Sequence, residues 1–493
     1  MKKKIAIVGA GPGGLTAGMI LAAKGYQVEV FESRDRVGGR NSVLELGEFR
    51  FDLGPTFLMM KFILEEMFEL TGRDIYSYLD IREVDPMYRL SFAEDREFFP
   101  SHVNPDLTID QIERLWPGNG VGYLKFLMRE KKKFDKLIPC LQVPYDKTSD
   151  MFSKRLISAT PWLDAHISLF KHLGRYFDDD DLKTAFTFQA KYLGMSPWEC
   201  PATFSIISYI ENSGGIWHPI GGLNRISAVM AEVIEEEGGH IHLSTPVDEI
   251  LVKDGRAAGV ILEGGEKVAA DYTVINADFG HAMHNLIDRK NLNRWRPEVV
   301  DRKRFSCSTF MMYLGVDKVY DNVPHHNVIF ADDYRKNVEE ISESKTLSED
   351  PSVYIQNACR TDSTLAPKGK STIYLLVPVP NCTGDIDWKA AAPGFREKVL
   401  DICEGRGGLE NLREHIVEEK IITPDDWWFD HKVHIGATFN LAHNVRQMLV
   451  FRPHNKFEEL EDCFLVGGGT HPGSGLPTIY ESGRIAANLI CRY

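Results

Sequence analysis

The N-terminal residues contain the feature that most restricts the fold, a short apolar strand followed by a glycine-rich turn and a helix. The apolar run Lys4–Val8 ends directly in a glycine pattern of the form G-x-G-x-x-G, and apolar residues then recur at helical spacing. A second strand is predicted over residues 26–31, and it ends at Glu32, eighteen residues beyond Gly14. This order of strand, turn, helix, strand and acid is typical of a Rossmann-like dinucleotide-binding unit.

Each position of the pattern has a mechanical role in such a site. Gly9 permits the sharp turn, Gly11 lets the backbone approach a pyrophosphate, and Gly14 lets the helix pack closely on the strand. Glu32 can accept hydrogen bonds from both ribose hydroxyls, and its charge disfavours a 2′-phosphate, so NADP is not the expected cofactor. A glycine pattern alone also occurs in ordinary turns, but the complete spacing favours a dinucleotide site.

A second glycine segment distinguishes between cofactors. Residues 34–40 supply two glycines and Arg40 directly after the acid, and residues 54–56 (Gly-Pro-Thr) end the next strand-like stretch. In this the chain resembles the FAD-dependent amine oxidase superfamily, whose fingerprint extends past the acid into an x-x-G-G-R segment. The resemblance implies FAD, with Arg40 and the glycine pair facing its diphosphate and flavin, residues 54–56 near the isoalloxazine, and the backbone of Val247 at the adenine edge. The implied FAD-binding residues of the N-terminal part are Gly9, Gly11, Pro12, Gly13, Gly14, Glu32, Ser33, Gly38, Gly39, Arg40, Gly54, Pro55 and Thr56.

The C-terminal residues repeat the arrangement of strand, glycine-rich loop and helix. Residues 463–466 form an apolar run, a loop with several glycines follows, and apolar residues recur from Ile479 to Ile490. A helix start offers unpaired N–H groups and a positive dipole end, which suits the negative charge of a reduced flavin around N1 and O2. The candidate flavin-binding residues here are Gly469, Thr470, Gly475, Leu476 and Pro477.

The rest of the chain is expected to complete an α/β fold with two further regions. A Rossmann-like FAD-binding domain is assembled from the discontinuous segments 1–70, 211–285 and 426–493. Residues 71–210 have apolar positions at helical spacing, and we expect them to be mainly helical and to face the substrate and the membrane. Residues 286–425 carry strand-like runs among charged loops and are expected to form a substrate domain built on a β-sheet.

Longer stretches narrow the resemblance to one branch of the superfamily. Residues 451–456 together with the loop 465–477 look like the C-terminal signature of bacterial-type phytoene desaturases, the carotenoid desaturase family. Residues 181–189 and 217–222 resemble the interior of the same family. Residues 479–484 depart from it towards the general amine oxidase pattern, which leaves the substrate within the branch open.

The resemblance implies a two-electron oxidation of an acyclic carotenoid such as phytoene. A hydride would pass to flavin N5, the neighbouring carbon would lose a proton, and oxygen or a quinone would accept the electrons afterwards. Because charge on a long apolar polyene is delocalised, no strong base is required. The candidates for a catalytic acid or base are His218 and His471, and a structural hydrogen-bonding role is the alternative for each.

Other functions remain open from the sequence. The chain could be a flavoenzyme for another carotenoid step, an isomerase or a terminal oxidase. It could also be an amine oxidase, with Trp217 and Tyr480 as the aromatic cage near the flavin. From a different class, it could be a catalytically idle FAD-binding or isoprenoid-carrier subunit.

Charge and composition argue against nucleic acid as a partner and against a metal site, and they indicate a membrane surface as a partner. The net charge of −14 argues against nucleic acid, and the eight cysteines are scattered singly without metal-ligand spacing, so no metal is expected. Residues 123–136 combine aromatic and aliphatic side chains with six basic and two acidic residues, as in basic helices that attach to anionic membranes. A solvated surface helix is the alternative. We therefore expect a cytoplasmic protein that associates peripherally with a membrane surface.

Overall fold

The structure is a computed structural model that describes residues 2–492. Its strands are β1 (Lys4–Val8), β2 (Gln27–Phe31), β3 (Val43–Leu46), β4 (Phe49–Asp52), β5 (Ile81–Val84), β6 (Arg89–Ser91), β7 (Glu97–Phe98), β8 (Ile216–Pro219), β9 (His240–His242), β10 (Val247–Lys253), β11 (Arg256–Leu262), β12 (Lys267–Ala269), β13 (Tyr272–Ile275), β14 (Ser308–Val316), β15 (His326–Ile329), β16 (Val353–Gln356), β17 (Ser371–Val379), β18 (Ile416–Ile422) and β19 (Cys463–Leu465). Its helices are α1 (Pro12–Ala23), α2 (Lys61–Glu69), α3 (Pro105–Leu115), α4 (Gly120–Leu141), α5 (Lys154–Ala159), α6 (Leu169–Leu173), α7 (Asp180–Ala185), α8 (Ser205–Gly214), α9 (Asn224–Glu236), α10 (Phe279–His281), α11 (Pro297–Val300), α12 (Tyr334–Glu339), α13 (Trp388–Gly405), α14 (Pro424–Phe429) and α15 (Leu476–Ile490).

A five-stranded parallel sheet, in the order β19-β13-β1-β2-β9, forms the centre of the first domain. β1 lies in the middle, with Ile7 opposite Val30 of β2 and opposite Val274 of β13. The strand predicted directly before the glycine-rich turn is confirmed, and β2 begins one residue later than predicted. Strands from the N-terminal, middle and C-terminal parts of the chain therefore meet in one sheet.

Helices α1, α9 and α15 cover one face of this sheet and pack closely through glycines. A Cβ on Gly18 of α1 would lie 2.9 Å from Cδ1 of Ile234 in α9. A Cβ on Gly483 of α15 would lie 2.6 Å from the carbonyl oxygen of Gly13. The C-terminal helix is thereby held directly on the helix that follows the glycine-rich turn.

The opposite face of the parallel sheet is covered by the antiparallel sheet β10-β11-β12. Ile250 and Val260 from this small sheet belong to the same buried apolar cluster as Ala6 and Val8 of β1. The central strands are therefore buried on both faces, which is why β1 consists of consecutive apolar residues after its first.

A seven-stranded sheet, in the order β18-β14-β17-β16-β15-β6-β7, forms the second domain. The antiparallel pair β14 and β17 is in register along its whole length. β6 and β7 belong to the segment 71–210, which we expected to be mainly helical, and β6 runs parallel to β15 with Leu90 opposite Val328. Strands of two or three residues are too short for an alternating pattern to reveal them.

The two faces of the seven-stranded sheet have different neighbours. Phe310 of β14 contacts Trp388 and Phe395 of α13, which covers the outer face. From the inner face Tyr313 contacts Phe51 of β4, so this face is turned towards the first domain. The space between the two domains is thus bounded by the inner face of this sheet.

Helix α4 contains a charged cluster that is removed from water, which changes the interpretation of residues 123–136. The side chains of Glu130 and Lys133 are both fully buried, with 3.0 Å between Nζ and Oε2, and Nε2 of His172 lies 3.1 Å from the other carboxylate oxygen. Lys133 also donates to the hydroxyl of Ser205. Burial lowers the pKa of Lys133. Part of the basic surface expected from the sequence is therefore internal structure, and the remaining exposed lysines of the helix are Lys125, Lys131, Lys132 and Lys136.

Candidate active site

The glycine-rich turn between β1 and α1 is shaped to receive an anion. Gly9 has a φ of +93°, and a Cβ on Gly14 would lie 2.5 Å from the Gly9 carbonyl oxygen. Gly11 precedes α1 without a side-chain hydrogen bond to the helix, and Pro12 lies in the first turn. The first N–H groups of the helix are thus left for a ligand, and the positive end of the helix dipole favours a phosphate.

Glu32 lies at the carboxyl end of β2, beside the glycine-rich turn. Its side chain is buried, and its two carboxylate oxygens accept hydrogen bonds from the N–H of Ala10 at 2.8 Å and the N–H of Arg34 at 3.0 Å. The hydroxyl of Ser33 lies 3.2 Å from the second of these oxygens. The carboxylate is therefore fixed where a ribose of a dinucleotide would lie.

Val247 lies close to the same position. It begins β10, two residues after Thr245, whose N–H donates to the carbonyl oxygen of Glu32 at 2.8 Å. The backbone of Val247 thus lies two residues from a direct contact with Glu32, and its role at the adenine edge stays a prediction.

Replacing Glu32 with alanine should weaken FAD binding. The substitution removes the fixed acceptors and leaves the Ala10 N–H without its partner, a loss of about 1–3 kcal/mol or roughly 5- to 150-fold in the dissociation constant. The measurement is flavin fluorescence during equilibrium dilution. Glu29→Ala is the matched control, because Glu29 lies in β2 and pairs with Lys4 at 2.9 Å rather than with the glycine-rich turn. Unchanged flavin retention in Glu32→Ala would contradict the assignment.

The second glycine segment crosses over the first. Gly38 has a φ of +108°, and its N–H donates to the Ala10 carbonyl at 2.8 Å. A Cβ on Gly39 would lie 3.5 Å from the Cα of Gly11. The two glycine segments are therefore in contact and form one backbone surface.

Arg40 connects this surface to the C-terminal part of the chain. Its Nη1 donates to the carbonyl of Thr438 at 2.9 Å, and its Nη2 lies 3.4 Å from Oδ2 of Asp278. The guanidinium is about one-third exposed and lies on the wall of the cavity described below. It is available to an anionic group such as a diphosphate.

Residues 54–56 are held by tyrosines of the seven-stranded sheet. The hydroxyl of Tyr374 donates to the Gly54 carbonyl at 2.8 Å, and the hydroxyl of Tyr354 lies 2.7 Å from Oγ1 of Thr56. Gly54 is tightly packed, because a Cβ there would lie 2.6 Å from the carbonyl of Arg40. These tyrosines line the cavity together with Pro55. Sequence reasoning missed them because nothing in a strand shows which residue faces a distant loop.

The C-terminal glycine-rich loop is held by a buried arginine, Arg452. Its guanidinium is fully removed from solvent and donates to the carbonyl of Gly468 at 2.6 Å and to the carbonyl of Thr470 at 3.0 Å. Further bonds reach the carbonyls of Gln447 and Leu441, each at 3.3 Å. Burial lowers the pKa of Arg452 to about 9. Its role is thus to fix the loop backbone rather than to contact a ligand.

The same loop packs tightly before it enters α15. A Cβ on Gly469 would lie 2.5 Å from Cβ of Phe279, and Gly475, with a φ of +106°, precedes the helix without a side-chain cap. The imidazole Nε2 of His443 accepts a hydrogen bond from the N–H of Ser474 at 3.0 Å. The loop and the first residues of α15, Leu476 and Pro477, line the cavity.

A cavity of about 620 Å³ extends between the two domains from these glycine segments. One end is formed by Arg40, residues 54–56 and residues 472–479. The rest of the wall is overwhelmingly apolar and includes Phe57, Leu137, Leu141, Leu156, Phe188, Ile206, Ile207, Ile210, Met311, Val328 and Leu376. Among the described residues that line it there is no carboxylate. Besides Arg40 the basic side chains are Lys191, whose pKa burial lowers to about 7, and His443, whose pKa burial also lowers.

Part of the cavity wall reaches the protein surface and carries exposed apolar residues. Val445 and Phe451 line the cavity and are 56% and 52% exposed. Phe152 and Ile157, next to the lining residues Met151 and Leu156, are 74% and 57% exposed. We call Phe152, Ile157, Val445 and Phe451 the mouth patch.

The two histidines suggested as a catalytic acid or base do not line this cavity. His218 is fully buried, and its Nε2 lies 3.2 Å from Oδ2 of Asp362. The Nε2–H of His471 donates to the carbonyl of Val143 at 2.9 Å, and burial lowers the pKa of His471 to about 3. Both side chains therefore contact protein groups away from the substrate space.

The aromatic cage considered for an amine is likewise absent from the described wall of the cavity. Tyr480 is buried in α15, and Trp217 in β8 packs under the ammonium of Lys61 at 4.1 Å from the ring centre. Neither of the two aromatic residues lines the cavity.

Comparison with known proteins identifies relatives over nearly the whole chain. Residues 12–491 match the family described as flavin containing amine oxidoreductase. The chain is 49% identical over 488 residues to a 4,4′-diapophytoene desaturase (4,4′-diapolycopene-forming) of Methylomonas sp, covering 99% of this chain and 95% of the relative. It is 38% identical over 491 residues to a zeta-carotene-forming phytoene desaturase of Myxococcus xanthus, covering 99% and 94%.

Solved structures share the fold. An oxidoreductase from Methanosarcina mazei matches with a TM-score of 0.65 at 17% identity, covering 99% of this chain and 100% of the other. A putrescine oxidase bound to putrescine matches with a TM-score of 0.62 at 16% identity, with both chains covered completely. At these identities the likeness concerns the mixed α/β architecture alone.

Proposed function

This chain belongs to the flavin containing amine oxidoreductase family, and from that premise we propose that it is an FAD-dependent carotenoid desaturase acting on an acyclic polyene. The relatives named above as desaturases of diapophytoene and phytoene support this. The observation that carries the proposal is the apolar cavity that begins at the flavin-binding segments and ends at an apolar patch on the surface.

The chemistry of the cavity wall favours a hydrocarbon over an amine. An alkylammonium ion is best stabilised by a carboxylate when it leaves water, and the described wall offers no carboxylate but three basic side chains, Arg40, Lys191 and His443. Aromatic rings alone, such as those of Tyr354 and Tyr374 on the same wall, stabilise a cation less than an anion does. A polyene needs no polar partner and gains from every apolar contact. The amine oxidase alternative is therefore disfavoured.

The chemistry that bound FAD would supply here is a two-electron oxidation of the substrate. The protein holds the polyene in an apolar channel that excludes water and presents one carbon pair to the flavin end. The hydroxyls of Tyr354 and Tyr374 are engaged by Thr56 and the Gly54 carbonyl, so they position the loop at the flavin. We assign no catalytic role to His218 or His471.

Anaerobic reduction of the bound flavin tests the proposal. Diapophytoene or phytoene in detergent micelles should bleach the flavin absorbance, whereas putrescine should leave it unchanged. Bleaching by putrescine, or the absence of bleaching with both diapophytoene and phytoene, would refute desaturation. Reoxidation of the bleached enzyme by dissolved oxygen or by an added quinone then shows which of these two proposed acceptors is used.

We further propose that the mouth patch docks on a membrane, from which an apolar polyene could enter the cavity. Its four apolar side chains are more than half exposed, and exposed basic residues lie within a few positions of them, namely Lys147, Lys154, Arg155 and Arg446. The turns 148–152 and 449–451 that carry part of the patch pack against each other. No helix among residues 2–492 is long and apolar enough to cross a bilayer. The combination is typical of peripheral attachment to anionic lipid.

Removing two aromatic side chains from the mouth patch should weaken liposome binding. Phe152→Ala with Phe451→Ala deletes apolar surface worth on the order of 2–4 kcal/mol when inserted, so the apparent affinity should fall by about 30-fold or more. Sedimentation with anionic liposomes at two salt concentrations is the measurement. Phe429→Ala is the matched control, because Phe429 is 68% exposed but lies in α14. Equal loss of binding in the control would place the attachment elsewhere.

A further inference from the structure

Three side chains outside the substrate cavity converge on one point. His284 lies in the π-helical turn Ala282–Leu286, Asp301 directly follows α11, and His434 lies in a short turn after α14. Nε2 of His284 is 2.9 Å from Oδ1 of Asp301, and Nε2 of His434 is 3.5 Å from the same oxygen. Sequence reasoning found no metal-ligand spacing because these residues are far apart along the chain.

The hydrogen bonding of His284 directs its Nε2 at the carboxylate of Asp301. Its Nδ1 lies 2.8 Å from the carbonyl oxygen of Gly280, and a carbonyl can only accept, so Nδ1 carries the proton. Its Nε2 is thereby aimed at Oδ1 of Asp301, 2.9 Å away, and in a neutral ring this nitrogen offers a lone pair to a cation. A metal ion in contact with both atoms can take the place of a proton on Nε2.

We propose that His284, Asp301 and His434 bind a zinc ion, with water in the fourth position. Zinc binds imidazole nitrogen and carboxylate oxygen at about 2.0–2.2 Å in a tetrahedron, which places neighbouring ligand atoms roughly 3.3 Å apart. The two separations from Oδ1 lie on either side of that value, and all three ligand atoms lie within 4.8 Å of one another. The bond from Nδ1 of His284 to Gly280 supplies the orienting contact that metal-bound histidines commonly make.

Basic residues follow Asp301 in the chain, but two of their side chains are directed elsewhere. Arg304 pairs with Glu199, and the ammonium of Lys303 lies 5.2 Å from the ring centre of Trp295. The aspartate is half-exposed, so a hydrated ion can reach it from solvent.

The ion would join parts of the chain that are far apart in the sequence. The N–H of His434 donates to Oδ1 of Asp278, whose other oxygen lies near Arg40 on the cavity wall. A metal bound to His434 would thus help to hold Asp278 in place, and Asp278 in turn contacts Arg40. We assign the site a structural role that is independent of desaturation.

Titration of the metal-free holoprotein with zinc chloride tests the site. We expect one high-affinity equivalent by calorimetry, an increase in Tm on addition of Zn²⁺, and an anomalous scattering peak between the three ligands. Asp301→Asn should weaken the binding on the order of 100-fold, and His284→Gln should do the same.

Asp317→Asn is the matched control, because Asp317 and His415 form an exposed pair of 2.8 Å without a third ligand. Its zinc affinity should equal that of the unmodified protein. Absence of a saturable zinc site in the unmodified protein, or equal affinity in Asp301→Asn, would overturn the proposal.

Discussion

Arg452→Met should release the flavin and lower the stability of the protein by about 3 kcal/mol or more. The substitution keeps most of the side-chain volume but leaves the carbonyls of Gly468, Thr470, Gln447 and Leu441 without their donor. Each buried carbonyl that loses its partner costs about 1–3 kcal/mol of stability. Removal of the buried guanidinium charge offsets part of the summed cost of the four carbonyls. Because this is the loop proposed to bind the flavin, loss of cofactor should exceed the general loss of fold.

The measurements are bound flavin per protein and Tm of the holoprotein. Arg446→Met is the control, because Arg446 lies in the same segment and its side chain is exposed. A variant at Arg452 that kept its flavin and its Tm would show that other contacts fix the loop.

Lys133→Met should destabilise the protein by about 3–5 kcal/mol, because it leaves the carboxylate of Glu130 buried without its closest cation. Nearby groups limit the loss, since His172 and Ser205 still contact the carboxylate. Thermal or denaturant unfolding followed by far-UV circular dichroism measures the change.

The double variant Glu130→Gln with Lys133→Met removes both charges and should recover a large part of the lost stability. Lys132→Met, one position away on the exposed face, should change stability by less than about 0.5 kcal/mol. If Lys132→Met and Lys133→Met were equally mild, the buried cluster would not contribute to stability.

The sequence predicted the parts of the fold whose pattern is local. β1 could be recognised because a strand buried on both faces is continuously apolar. The glycine-rich turn could be recognised because a side chain at several of its glycine positions would come too close to neighbouring atoms. β6 and β7 could not, since they are short and join the sheet only where β6 pairs with β15, more than 200 residues away. Local patterns contain no information on such a pairing.

The candidate site divides in the same way. Glu32 and Arg40 are positioned by adjacent glycine segments and could be proposed from spacing, whereas Tyr354 and Tyr374 become site residues only when the second domain closes over residues 54–56. For Lys133 the sequence pattern predicts an exposed side chain, and the structure shows a buried one. A run of basic residues is typical of an exposed helix face, but one lysine of this run lies on the buried side, next to Glu130.

The order of strands in the parallel sheet has a consequence during synthesis on the ribosome. β1 and β2 are made first, but β13 stays open at one edge until β19 (Cys463–Leu465) has been added, and α1 lacks its cover until α15 (Leu476–Ile490) follows. At typical translation rates of about 5–20 residues per second, the synthesis from the end of β13 to the start of β19 takes roughly 9–40 s. Through that interval the nascent chain exposes an unpaired strand edge and the apolar face of a helix, both of which favour aggregation. A nascent chain stalled before residue 463 should therefore depend on chaperones and bind no FAD.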